Sequence, residues 1–286
     1  MKLILGTVQF GLNYGVSNIN GKVERKDVEK ILSLASTYGI DTLDTASGYG
    51  DSEKVIGKAQ KKTSTTFNII TKVVPQRSPA TSYLNQVRHS LTQLKVTSSY
   101  AVMLHDANQL LDSSSKKNYQ DLLALKNFGL CQKIGVSIYN PNELISILKN
   151  FKLDIIQLPL NIFDQRFLAP QVIKLVKKNN IEVHARSLFL QGLLLMDNEV
   201  KPIYFNQFSE YFNKFDLFCK ENQLTRLEAC ISFVQSVTNI DKFVIGVTNS
   251  AELNEIIEIY KKISPRNFSS LRVDDKKLLN PSLWMN

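Results

Sequence analysis

Asn68-Ile69-Ile70-Thr71-Lys72-Val73-Val74 is a short, largely β-branched run, followed by a polar stretch and then by Leu84, Val87, Leu91 and Leu94. The first part reads as a strand buried on both faces, over Asn68–Val73. The second carries apolar residues at helical spacing, one stripe of an amphipathic helix. The same strand-then-helix unit recurs along the chain. Upstream strands are expected over Lys2–Thr7 and Thr42–Thr45. Downstream ones are expected over Ala101–His105, Lys133–Ser137, Ile155–Leu158, Glu182–Ala185 and Phe243–Gly246. Apolar helical faces follow, such as Val28, Ile31, Leu32, Leu34 and Ala35 after the first strand. Another is Leu144, Ile145, Ile147 and Leu148, behind an Asn140-Pro141 helix start. Two more helical patterns lie near Phe205–Cys219 and Leu227–Val237, and Leu253, Ile256, Ile257 and Tyr260 close the series.

Eight such units in 286 residues come to about 36 residues each, the spacing of parallel strands joined by crossover helices. The fold class expected is α/β, a single (β/α)₈ TIM barrel over residues 1–286, with residues 265–286 a tail packing on or near the barrel. A doubly wound dinucleotide fold would want a GxGxxG turn after its first strand, and Gly6, Gly11 and Gly15 do not have that spacing. No Gly-, Pro- or Ser-rich linker divides the chain.

Composition narrows the function classes. Hydrophobic residues make up 43% and charged residues 21%, so wholesale disorder is excluded. No apolar run approaches the roughly 18 residues of a membrane helix, and the amino terminus lacks a secretory h-region. The reading is no membrane association. Cys131, Cys219 and Cys230 are scattered, without a CxxC. Neither a disulfide framework nor a cysteine-rich metal site is expected, and a cytoplasmic location fits. The net charge is +9. The lysines come as dispersed pairs, without the aromatic-interleaved basic stripe of a nucleic-acid surface, so no nucleic acid partner is expected. Without a long heptad pattern a monomer is expected, with a dimer as the alternative.

In such barrels chemistry gathers at the carboxyl ends of the strands. Strand two ends Leu43-Asp44-Thr45-Ala46, with Tyr49 five residues past the aspartate. Strand three carries Lys72 inside its apolar run, and strand four ends Met103-Leu104-His105-Asp106. Each residue alone has a bland reading as a cap, a snorkelling lysine or a core histidine. Together they form a proton-transfer set. A buried Lys72 needs the Asp44 carboxylate. Its charge is expected to lower the Tyr49 phenol from its ordinary ~10. A phenol so tuned donates a proton near neutral pH, and His105 positions the acceptor oxygen.

This set resembles the aldo-keto reductase family. The stretch Asp44-Thr45-Ala46-Ser47-Gly48-Tyr49-Gly50-Asp51-Ser52-Glu53 is similar to the family's DTAxxYGxSE segment, and Gly6-Thr7-Val8-Gln9-Phe10-Gly11 resembles the opening of bacterial members. The likeness runs from about Lys2 to Tyr260. It implies an oxidoreductase that reduces a small carbonyl compound with hydride from a nicotinamide cofactor, without a metal. It implies Tyr49 as general acid, Lys72 and Asp44 as its support and His105 as the carbonyl-positioning residue. It also implies a cofactor site. Gly6 and Thr7 would lie near the nicotinamide, with Ser137 and Gln157 at its carboxamide. Arg186 would stand at the nicotinamide ring, and Ser187, Leu188, Gln191 and Gly192 would wrap the pyrophosphate. Gly246, Val247, Thr248, Asn249, Glu252 and Glu255 would hold the adenosine end.

The sequence departs from the family at three points. Ile138 stands where an Asn commonly meets the carboxamide. Arg186 stands where an aromatic commonly stacks on the nicotinamide. Glu252 stands where an Arg commonly meets the adenosine 2′-phosphate. Family habit implies NADPH, while Glu252 suits the free 2′-hydroxyl of NADH, which is the alternative. Phe10, Asn13, Tyr14, Gln76, Arg77, Phe163, Gln165 and Arg166 are the loop residues expected at the substrate, and they suit a polar, sugar-like or anionic carbonyl. Two other classes compete with the reductase. One is a non-catalytic, cofactor-binding regulatory protein. The other is a barrel lyase or isomerase using Lys72 as a Schiff base.

Overall fold

The computed structural model describes residues 1–284. Its eight strands are β1 (Leu3–Gly6), β2 (Thr42–Asp44), β3 (Asn68–Val73), β4 (Ser99–Leu104), β5 (Cys131–Ser137), β6 (Ile155–Pro159), β7 (Glu182–Arg186) and β8 (Lys242–Gly246). All pair in parallel and in sequence order, and β8 closes onto β1 through Leu3↔Phe243 to Gly6↔Gly246. The chain is a (β/α)₈ barrel. Strand four begins two residues before the expected Ala101 and stops before His105, which starts the loop.

The helices flank the barrel: α1 (Arg25–Thr37), α2 (Ser52–Thr63), α3 (Tyr83–Leu94), α4 (Ser115–Asn127), α5 (Pro141–Leu148), α6 (Pro170–Lys178), α7 (Ser209–Glu221), α8 (Arg226–Ser236) and α9 (Ser250–Lys262). Their starts follow from local chemistry. Asn140 and Glu143 bond reciprocally to each other's backbone N–H in a capping box, with Pro141 at the first helical position of α5. Thr225 and Glu228 do the same for α8.

Two apolar layers result. The larger lies between strands and helices. A smaller one fills the barrel interior with Ile4, Ile70, Ala101, Met103 and Ile155. At the amino ends of the strands a polar cluster closes that interior. There Glu182 accepts hydrogen bonds from Tyr100 Oη and His184 Nε2, both at 2.6 Å, and from Lys133. The tail beyond Pro265 buries Phe268, Leu271, Val273, Leu278 and Leu279. Val273 N–H donates to the Phe163 carbonyl at 2.9 Å, and Trp284 packs edge-on against Phe205.

Candidate active site

Asp44 closes β2 at the carboxyl end of the barrel. Its Oδ2 accepts from Lys72 Nζ at 2.6 Å and its Oδ1 from Gln157 Nε2 at 2.7 Å. Lys72 spends a second proton on the Thr45 carbonyl at 3.1 Å. The Lys72 and Asp44 side chains are 1% and 5% exposed, so the ion pair stands in a region of low dielectric with its polar atoms partnered. Burial pulls the Lys72 ammonium below its ordinary range, and Asp44 opposes that pull.

The turn carrying Tyr49 is latched on both sides. Ser47 donates from N–H and Oγ to the Lys72 carbonyl at 3.0 and 2.9 Å. Ser52 Oγ donates to the Thr7 carbonyl at 2.8 Å. Gly11 backs directly onto the turn: a Cβ there would lie 1.8 Å from the Tyr49 carbonyl oxygen, so this approach admits no side chain. Glu53, the last residue of the motif, turns away from the cleft. Its carboxylate accepts from Thr71 Oγ1 at 2.6 Å, pinning α2 to β3.

With the turn fixed, Lys72 Nζ stands 5.3 Å from the Tyr49 ring centre. The His105 ring meets Tyr49 edge-on at 5.6 Å and 77°. The Tyr49 phenol is nevertheless pushed upward, by burial first and by Asp44 second. The sequence reading expected the opposite direction. Asp44 offsets the ammonium charge, so the neighbouring pair does not outweigh desolvation, and Tyr49 keeps its proton at neutral pH. Burial and the charge of Lys72 lower His105 to about 4, leaving a neutral imidazole at physiological pH.

These residues border a cleft of about 690 Å³. Asp44, Tyr49 and His105 line it, and Lys72 stands behind them. A Schiff-base role for Lys72 finds no support in that position. Gly6, Thr7, Ser137, Gln157 and Arg186 line the cleft, as do Ser187, Leu188, Gln191 and Gly192. So do Gly246, Val247, Thr248, Glu252 and Glu255. Asn249 does not. It caps α9, its Oδ1 accepting from Glu252 N–H at 2.9 Å. The Glu252 carboxylate is gathered in by Thr248 N–H, Thr248 Oγ1 and Asn249 Nδ2 at 2.7, 2.6 and 2.9 Å.

The loop after β7 is conformationally unusual. Ser187, Leu190 and Gln191 have φ of 64°, 48° and 56°, a costly choice for side-chain-bearing residues. Val16 N–H donates to the Gln191 carbonyl at 2.9 Å. Gly192 has φ 88°, and a Cβ there would lie 1.8 Å from Ser17 Oγ. The loop after β1 thus reaches across to the loop after β7.

The substrate-loop expectations divide. Tyr14 lines the cleft. Phe10 and Phe163 are core residues, 0% and 1% exposed. Gln165 donates to the Ile162 and Phe268 carbonyls, and Gln76 to Asp121. Arg166 is paired with the buried Asp164 at 2.7 Å. Asn13 and Arg77 are exposed outside the cleft. Ile138 is fully buried and presents only its carbonyl.

Gln9 and Tyr139 are among the cleft residues that the sequence reading missed. Gln9 carries a buried Oε1 without a partner among the described residues. The Arg186 guanidinium lies 4.2 Å over the Tyr139 ring. An aromatic two positions past the strand-five serine was the available signal for Tyr139.

The sequence matches the aldo/keto reductase family over residues 2–272. The chain belongs to this family. It is accordingly an oxidoreductase of the aldo-keto reductase type. Among solved structures, an aldo-keto reductase from Bacillus halodurans in its holo form is similar with a TM-score of 0.76 at 17% identity, covering 96% of this chain and 93% of that one. A putative aldo-keto reductase from Pseudomonas aeruginosa is similar with a TM-score of 0.66 at 21% identity, covering 91% and 89%. At these identities the likeness concerns the fold. A comparison with curated proteins gives no match. Among the described residues no helix is long and apolar enough to cross a membrane.

Proposed function

We propose that this aldo-keto reductase reduces a small aldehyde or ketone with Tyr49 as the proton donor. The observation that carries the reading is the buried Lys72–Asp44 pair at 2.6 Å, set directly behind a protonated tyrosine that borders the cleft. When bound, a nicotinamide dinucleotide supplies hydride to the carbonyl carbon. As charge develops on the carbonyl oxygen, the Tyr49 hydroxyl gives it a proton, completing the alcohol. The Lys72 ammonium stabilises the phenolate left behind, and Asp44 keeps Lys72 charged. Neutral His105 offers a hydrogen bond to the same oxygen without adding charge.

The donor set fits a dinucleotide. Gln9 borders the cleft beside Gly246, where a side chain would collide with its amide at 2.8 Å. Gln157 has given its N–H to Asp44, so its remaining acceptor Oε1 suits the carboxamide N–H. The left-handed backbone from Leu190 to Gly192 suits an anion-holding turn for the pyrophosphate. NADPH, the cofactor of family habit, is the first reading. NADH is the second, and one observation favours it: Glu252 and Glu255 line the cleft, and among its described lining residues there is no lysine and no arginine besides Arg186. Fluorescence titrations with NADPH and NADH separate the two. A cytoplasmic monomer completes the proposal, in keeping with three free, buried cysteines.

Replacing Tyr49 by Phe tests the mechanism. Turnover of an aldehyde panel is expected to fall at least about 100-fold, with the cofactor dissociation constant nearly unchanged. Persisting turnover would remove Tyr49 from the role of acid.

A further inference from the structure

Arg186 closes β7 and lines the cleft, half-buried. Its Nε donates to Ser137 Oγ, its Nη1 to Ser187 Oγ and its Nη2 to the Ile138 carbonyl, each at 3.3 Å. Its guanidinium carbon lies 4.2 Å over the Tyr139 ring. These four contacts hold the group in place, and all of them are neutral. Arg25, Arg166, Arg226 and Arg272 are each paired with a carboxylate. Among the described residues no carboxylate pairs with Arg186. It is a clamped cation without a counter-ion.

That charge reaches the reacting centre. Burial dominates the shifts of Tyr49, Lys72 and His105, and the Arg186 charge is felt at all three. Nothing beside it offsets it. Lys72 and Asp44 neutralise each other at 2.6 Å. Glu252 and Glu255, the other carboxylates lining the cleft, make no ion pair with it. A hydride donor has to bring its reacting ring up to the carbonyl that Tyr49 protonates, and so into the same field. The reduced nicotinamide is neutral and the oxidised one is cationic, while the rest of the dinucleotide is the same in both. A fixed cation near the ring therefore acts on one redox form alone. Even about 8 Å apart at an effective dielectric of about 20, two unit charges disfavour each other more than tenfold.

We propose that Arg186, clamped by Ser137, Ser187, the Ile138 carbonyl and Tyr139, selects the redox state of the cofactor, so that the cleft retains the reduced dinucleotide and rejects the oxidised one. This rests on the reductase reading above and adds a direction to its cycle. A neutral ring is taken up, and once hydride has left, a cation faces a cation and release is favoured. The selection has a cost. Weaker hold on the oxidised form makes the bound reduced ring a weaker hydride donor, by about 30 mV for each tenfold. A neutral side chain closing β7 would hold the two forms without this discrimination.

The test reads binding, not turnover. Nicotinamide fluorescence gives the dissociation constants of NADH and NADPH, and their displacement gives those of NAD⁺ and NADP⁺. The proteins are wild type and two neutral variants, Arg186→Gln and Arg186→Tyr. The oxidised-to-reduced ratio for one dinucleotide cancels every contact to its pyrophosphate and adenosine. Wild type is expected to bind the oxidised form at least about tenfold more weakly. Both variants should lower that ratio at least about tenfold, chiefly by tightening the oxidised form, because the missing charge is what they share. A wild-type ratio near one overturns the proposal, whether or not the variants fold. So does an unmoved ratio in the variants, with both forms weakened alike, which would make Arg186 a plain contact. If no dinucleotide binds wild type in either form, the reductase reading falls and takes this inference with it, an outcome distinct from measurable binding at a ratio near one.

Discussion

Replacing Lys72 by Met removes the ammonium and leaves Asp44 charged within the barrel. The Asp44 side chain is 5% exposed and keeps the Gln157 amide as its side-chain partner, at 2.7 Å. Stranding one member of a buried pair costs about 3–5 kcal/mol. Unfolding entropy near 2.1 cal/mol/K per residue gives about 0.6 kcal/mol/K for 286 residues. The expected drop in melting temperature is therefore about 5–8 °C. The double variant Lys72→Met/Asp44→Asn removes both charges and keeps an acceptor for Gln157. It should recover more than half of the loss, because the desolvation penalty disappears with the charges. The deficit of Lys72→Met should also shrink as pH is lowered and a proton replaces the missing ammonium. Both variants should lose at least about 100-fold in aldehyde turnover, since neither keeps a cation behind Tyr49. The assays are differential scanning calorimetry across pH and steady-state kinetics. A Lys72→Met protein melting within about 2 °C of wild type would refute the reasoning. A double variant no more stable than the single one would refute it equally.

His105, held near 4 in the fold, is ordinary at about 6.5 once unfolded, so its neutral form is favoured by folding. This stability is complete above pH 6.5 and is lost as pH falls toward 4, in total about 3 kcal/mol. Urea unfolding at pH 7 and pH 4.5 should show a smaller acid loss in His105→Gln than in wild type; equal losses would assign the acid sensitivity elsewhere. Gly135→Ala places a Cβ 2.1 Å from the Ile155 carbonyl on the neighbouring strand. Backbone cannot yield there, so about 3 kcal/mol of destabilisation is expected by chemical denaturation. Glu252→Gln takes a negative charge from the cleft wall and should shift the ratio of NADPH to NADH dissociation constants toward NADPH. A ratio that stays put would make Glu252 only a bracket for Thr248 and Asn249.

The period of the apolar residues determined the barrel. Strands such as Asn68–Val73 need both faces covered and helices such as Tyr83–Leu94 need one, and eight repeats leave few other arrangements. The same periodicity placed Asp44, Lys72 and His105 at strand ends, because strand ends are where short apolar runs meet polar residues. Direction and pairing of side chains were not legible in that way. Gln157 and Asp44 lie 113 residues apart and meet only through barrel closure. That closure spends the Gln157 amide N–H on catalytic support. Arg77, Arg166 and Arg186 are alike as letters in loops or at strand ends. Tertiary structure gives Arg166 a buried Asp164, leaves Arg77 outside the cleft, and clamps Arg186 on Tyr139 inside it. The charge of Lys72 predicted an acidic tyrosine, yet burial and Asp44 hold Tyr49 the other way. Local pattern fixes which residues a chain brings to a rim. Desolvation and partner charge, which depend on everything packed around them, decide what each residue can do there.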